Sequence, residues 1–529
     1  MSRRARLALC GLGGAAMLSG CTMVGPDFVK PEAPVTAQWE QADGRLVTRE
    51  APDLLRWWEA FQDPVLNQLV ETAWRSNYNL KIAGLRVLEA RAQLGIAVGN
   101  LYPQQQQASG GVTYNSASKN AANSAGGDLS FWTYDVGATV SWELDFWGKF
   151  RRGVESADAN LLASIAAYDN VLILLMAQVA DTYVVIRTAE EQLRVAQENV
   201  TLQQRSVEIT GVLFRNGQAD ELDLLQAQTQ LLSTRATIPP LEIGLQQARN
   251  ALSTLLGRPP GSLADFLGDR PGVIPPAPPN IAVGAPADLL RRRPDVRQAE
   301  QLAATQNAQV GVAEGDLYPS FGLSGFLGVV AADGTTSTRS GKDGPGRLFN
   351  ANSVSFSGGP FFTWNLLNYG QIRNNVRAQD ALLQQLLVNY QNTVLSAAQE
   401  VEDGMANFVW SREQEQILTA NVETAQRSLR LSTLRYREGY ADFQRVLDAQ
   451  SSLLLAQQRY VTARSGTVRA AVSVYRALGG GWEIRAGQDF VDRETRDLMR
   501  RRVDWGNLLQ PGAEESASEG LSGWPSPDW

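Results

Sequence analysis

The chain has 529 residues, a formal net charge of −7 and no histidine. The missing imidazole excludes Ser-His-Asp and Cys-His catalysis, histidine-ligated metal centres and a histidine pH switch. A hydrophobic content of 44% supports a sizeable core, yet the densest later run, Val171 to Ile186, is broken by Gln178 and Asp181. No ordinary transmembrane helix is therefore expected after the N-terminus.

The N-terminus reads as a leader. Arg3, Arg4 and Arg6 precede an apolar stretch from Leu7 to Leu18, which ends in Leu18-Ser19-Gly20-Cys21. That ending resembles a bacterial lipobox, which implies removal of residues 1–20 and acylation of Cys21 as the first mature residue. The leader takes three positive charges with it, lowering the formal charge from −7 to −10. Cys10 goes too, so the mature chain has no disulfide partner. Such an acidic exported chain is a poor nucleic-acid binder. By the rule for bacterial lipoproteins, Thr22 rather than Asp after the cysteine implies outer-membrane sorting.

The remainder is a tandem repeat. Arg215-Asn216-Gly217-Gln218-Ala219-Asp220 and Arg437-Glu438-Gly439-Tyr440-Ala441-Asp442 lie 222 residues apart, as do Trp142 and Trp364, and Gly148 and Gly370. The Pro/Gly-rich stretch 257–286 joins the halves as an extended linker. In chain order, each half predicts a helix, a hairpin of alternating strands, a very long helix, a tight turn and a return helix.

In the first half, Tyr134, Val136, Ala138, Val140, Trp142, Leu144 and Phe146 alternate with polar or small residues over 13 positions. A membrane-spanning strand needs about 9–11. The hairpin is expected over about 104–147, its second-half counterpart over about 319–366, with Phe326 interrupting the polar face there. Trp132, Trp142, Trp147 and Trp364 suit an interfacial girdle, with core packing the competing reading for Trp147. Four strands leave both edges unpaired, and the smallest closed barrels have about 8, so a membrane barrel requires several chains.

From Gly148 to Arg215 there is no proline, and such a helix spans about 100 Å. Leu193, Val200, Val207 and Phe214 recur at heptad spacing, as do Leu224, Leu231, Ile238, Leu245 and Leu252 after the turn. The second-half seam is Val446, Leu453, Tyr460, Thr467 and Val474. Pro239-Pro240 interrupts only the first return helix. In Arg291-Arg292-Arg293-Pro294-Asp295, the proline marks a helix start rather than a ligand patch.

These residues together resemble the outer-membrane factor family of TolC-like exit ducts, and its lipoprotein NodT branch in particular. The matching elements are Cys21 to Pro31, Trp57-Trp58 with Phe61 and Asp63, Trp142 to Gly148, Arg291 to Val296, Leu317-Tyr318-Pro319, Gly359-Pro360, Leu447 to Gln450 and Leu478 to Trp482. The resemblance implies a mainly α fold with membrane β-structure. Antiparallel coiled-coil helices would form an α-barrel, and four strands per chain would contribute to a 12-stranded barrel shared by a homotrimer.

The implied partners are outer-membrane lipid, a periplasmic adaptor (membrane fusion protein) and an inner-membrane resistance-nodulation-division pump; no cofactor, metal or enzymatic activity is implied. Residues 21–60, 257–286 and 483–529 would form an equatorial region around repeats 61–256 and 287–482. A type I secretion exit for a protein substrate, or a lipid-anchored coiled-coil scaffold or adhesin, is the alternative. The resemblance places a periplasmic gate at the helical tips, at about 215–221 and 437–442. Its candidates are Asp448, Arg437, Phe443, Gln444, Asp220 and Asp223. Gly217 and Gly439 are expected to give the tip turns their positive φ, and Asp220 and Asp442 are plausible helix caps.

Overall fold

The computed structural model describes residues 23–42, 45–120, 128–261, 263–267, 272–286, 291–334 and 344–509. Cys21 and the leader lie outside them. After an extended segment, β1 (Val47–Thr48) pairs in parallel with β4 (Ile281–Ala282), so the chain's beginning is tied to the central linker. Helix α1 (Pro64–Ser76) starts where Asp63 accepts from the Val65 and Leu66 amides and Pro64 occupies its first turn. Asn77 caps α2 (Tyr78–Gly99) in the same manner, accepting from the Leu80 amide.

Strands β2 (Gln105–Ser116) and β3 (Ser130–Leu144) lead into α3 (Lys149–Arg215), a single helix of 67 residues. Return helices α4 (Glu221–Ala236) and α5 (Ile238–Leu255) divide at Thr237, just before Pro239-Pro240, because each proline removes an amide donor. The second half repeats the order with α6 (Pro294–Gly315), β5 (Ser320–Ala332), β6 (Val354–Thr363), α7 (Gln371–Arg437) and α8 (Gln444–Ala477). Both α3 and α7 have 67 residues, and both of their ends are offset by 222. Lacking the proline pair, α8 runs unbroken. A short α9 (Arg493–Arg500) follows.

The four long strands form one antiparallel sheet in the order β2-β3-β5-β6. The main core lies at mid-height, where α1, α2 and the middle of α3 meet the end of α8. Trp57 stacks on Tyr475 at 5.4 Å between ring centroids, with Trp58 and Phe61 edge-on to Trp57. One stretch of α3 does meet the length and composition of a membrane span, contrary to the sequence expectation. Its Leu172, Met176, Val179, Tyr183 and Ile186 are fully buried in this core, which accounts for the apolarity by packing.

The seam expected on α3 holds in part: Leu193 and Val207 are half-buried against the cores, while the fully buried positions are others. Phe214 is exposed, and the buried stripe is Val195, Asn199, Gln203, Thr210 and Gly211. Small and polar residues let α8 approach closely. Asn199 donates to Gln457 Oε1 at 2.7 Å, and Gln450 donates to Ser206 Oγ at 2.8 Å. These polar rungs occupy places where heptad reasoning puts only apolar knobs.

Candidate functional site

The sheet has two different faces, and both meet the surroundings. Val136, Val140, Leu323, Leu327, Phe356 and Phe362 stand exposed on one face. The register confirms that they share it, pairing Val136 with Val329, Ala138 with Leu327 and Phe321 with Phe362. An apolar face of this extent is stable against lipid, not water. The opposite face carries Gln107, Ser109 and Thr113 of β2, Asp135, Thr139, Ser141 and Glu143 of β3, and Ser324 of β5.

Phe326 lies on that polar face, and glycines accommodate it. A Cβ on Gly137 would stand 2.5 Å from its ring, and one on Gly328 2.7 Å. Phe361 covers Gly322 in the same way, at 2.4 Å. The aromatics therefore lie flat against the sheet instead of protruding from it. Sequence parity exposes the interruption and Gly328 beside it, but only cross-strand register brings Gly137 diagonally next to Phe326.

At the strand–helix junction the repeat extends to individual bonds. Trp142 donates its indole N–H to Leu101 O at 3.2 Å, and Trp364 donates to Leu317 O at 3.1 Å. Trp147 differs from an interfacial residue: half-buried, it stacks on Tyr318 at 4.7 Å and donates to Pro319 O. Asp145 accepts from the Phe150 and Arg151 amides and from Arg151 Nε, which secures the start of α3.

Helices α3 and α7 end identically. Gln218 N donates to Leu213 O and Gly217 N to Phe214 O; 222 residues later, Tyr440 N donates to Arg435 O and Gly439 N to Tyr436 O. This is the Schellman pattern, whose left-handed residue is here Gly217 (φ 68°) or Gly439 (φ 76°). Asp220 then accepts from the Leu222 amide, and Asp442 from the Arg445 amide.

The two turns lie close enough to interact electrically. Partial burial, with Asp220 and Asp442 nearby, raises the Asp223 carboxyl above the ordinary carboxylate range. Burial, with the Asp223 charge beside it, raises the Tyr436 hydroxyl. Asp448 is exposed and accepts from Gln444 Nε2 at 2.9 Å. Arg437 and Gln444 are exposed as well.

Phe443 is placed differently from the other expected gate residues. It is 2% exposed, packs 5.2 Å from Tyr436 and belongs to a small core with Leu429, Val446, Leu447 and Leu453. Its place is beneath the tip surface, because burying an aromatic ring outweighs exposing it at the helix start. Arg293, part of the basic run, is buried too. It donates to Ala477 O at 2.6 Å and pairs with Asp295 and Glu400, joining the start of α6 to α7 and α8.

A family profile described as "Outer membrane efflux protein" matches residues 69–258 and again 285–480. The chain belongs to the outer membrane efflux protein family. Each match covers one repeat, from α1 to the end of α5 and from the linker's end to the end of α8.

Among curated relatives of this family, the probable efflux pump outer membrane protein TtgC of Pseudomonas putida is 30% identical over 488 residues. The alignment covers 90% of this chain and 95% of that protein. Nodulation protein T of Rhizobium leguminosarum bv. trifolii is also 30% identical, over 88% of this chain and 96% of its own length. Among solved structures, the outer-membrane channel OprN superposes with a TM-score of 0.80 at 32% identity. That superposition covers 87% of this chain and 99% of OprN. The protein is accordingly an outer-membrane efflux protein, and its structural likeness to OprN spans most of both chains.

Proposed function

We propose that this chain is the exit channel of a tripartite efflux pump, in which three copies close one 12-stranded barrel. The observation that carries the reading is the four-stranded sheet, with an exposed apolar face and outer strands β2 and β6 lacking a second partner in the sheet. In lipid, unpaired backbone groups on those edges would each cost several kcal/mol. Pairing β6 of one copy with β2 of the next satisfies both edges and closes the sheet.

Below the barrel, α3 to α5 and α7 to α8 of each copy continue the wall as a helical tunnel. In this reading residues 21–60, 257–286 and 483–529 supply a belt around its middle, of which 21–22, 43–44, 262, 268–271 and 510–529 lie outside the described residues. Cys21, acylated after loss of residues 1–20, anchors each copy in outer-membrane lipid. The tips, with Asp448, Arg437, Gln444, Asp220 and Asp223, constrict the periplasmic end. Three copies of Asp448 there would make a ring of like charges suited to selecting ions. Phe443 supports this constriction from beneath.

A periplasmic adaptor docks on the duct, and an inner-membrane resistance-nodulation-division pump supplies the work. The channel conducts passively, without catalytic residues or cofactor. Relatives described as toluene and antibiotic efflux components and as a pyoverdine exporter support small-molecule cargo over a secreted protein.

Detergent extraction tests the reading. A heat-modifiable trimer is expected on electrophoresis. A soluble monomer after delipidation contradicts it and favours a periplasmic coiled-coil scaffold or adhesin.

A further inference from the structure

Residues Met23–Asp27 form a strap across the junction of strands and helices, bonded to both repeats. Val24 N donates to Trp147 O at 2.9 Å. Met23 lies against Gly148, where a Cβ would stand 2.5 Å from its side chain. On the other side, Gly25 has φ +87°, and a Cβ there would stand 2.4 Å from the Cα of Gly311 in α6. Asn307, also in α6, donates to Pro26 O at 2.7 Å.

Beneath the strap lies Arg152 of α3, only 2% exposed. Its guanidinium donates to Val24 O at 3.1 Å, Gly25 O at 3.0 Å, Asp27 Oδ1 at 2.8 Å and Glu155 Oε2 at 2.7 Å. A buried cation persists only when its donors are satisfied, and three of these four acceptors belong to the strap. A planar fork spans such divergent acceptors, whereas a lysine ammonium does not.

We propose that Arg152 is the positioning residue of the lipid anchor, holding the strap so that the acylated N-terminus enters the bilayer beside the base of the sheet. The inference rests on the acylation of Cys21 proposed above. Only Thr22 separates Cys21 from Met23, a reach of at most about 7 Å. With the strap released, the next ties are Lys30, which pairs with Glu300 of α6, and Glu32 O, which accepts from Gln391 of α7. Such a tether of nine to eleven residues reaches up to about 30–40 Å. Arg152 therefore sets whether the acyl chains lie against the barrel wall or range around it, and the left-handed glycine on Gly311 keeps the strap flat enough to engage.

The test uses the full-length protein in its membrane, with a nitroxide on Val29→Cys, an exposed position two residues beyond the strap, and Lys30→Gln to remove the neighbouring pair with Glu300. With the strap in place the label is expected to report restricted backbone motion, its exposed side chain being free to rotate. Arg152→Gln should shorten its rotational correlation time several-fold while the heat-modifiable oligomer persists. Gly25→Val, which lifts the strap from the α6 side, should do the same, and Arg152→Lys should restore only part of the restriction. An unchanged spectrum in both disrupting variants overturns the proposal. So does loss of the oligomer in both, because Arg152 would then determine folding and not position. Intact mass reads acylation separately: a chain without acyl mass contradicts the anchor, while label mobility still reports the strap.

Discussion

Asp223 shares the helical tip with Asp220 and Asp442, and its carboxyl sits above the ordinary carboxylate range through burial and those two charges. A raised carboxyl binds its proton more tightly in the folded state. Its contribution to stability is therefore complete below the unfolded value and is lost as pH rises through the folded one. Mild acidification should slow amide exchange around Arg215–Leu225, after correction for the intrinsic rate, and Asp223→Asn should abolish that response. Asp169 of α3 is wholly buried and paired with Arg485, with Arg297 3.9 Å away. Removing Arg485 strands a buried charge, so Arg485→Met should cost about 3–5 kcal/mol in chemical denaturation. Adding Asp169→Asn should recover part of that loss, because the uncompensated charge goes with it.

At the scale of elements, the strands and tips were the most legible parts of the sequence. Period-two alternation is a local property, and so are Asn216-Gly217 and Glu438-Gly439 at the ends of proline-free helices. The buried rungs Asn199–Gln457 and Ser206–Gln450 were not legible, since each depends on a partner more than 240 residues away. The gate list shared that weakness: local spacing puts Phe443 near Asp448, but only packing shows it buried. Arg152 is not legible either, since three of its four acceptors lie over a hundred residues upstream. The two sheet faces predict opposite tolerances. Leu327→Lys should cost about 2–4 kcal/mol on a lipid-facing surface and reduce the heat-modifiable species. Ser324→Lys, on the polar face, should leave assembly intact and lower cation preference.

For the whole molecule, length alone suggests three or four sequential domains; the chain instead builds one unit twice. Each 67-residue helix reaches about 100 Å beside a sheet of four long strands. The absent histidine fits this plan, because the proposed work is done by a wall and a gate. The central claim is that assembled copies enclose a conducting path closed at the tips. Single-channel recording of the purified oligomer in planar bilayers tests it most directly. A small resting conductance is expected, rising when Asp448→Ala removes the like-charged ring and its bond from Gln444. An oligomer that inserts without conducting contradicts the duct, and an unchanged closed state in Asp448→Ala contradicts the gate.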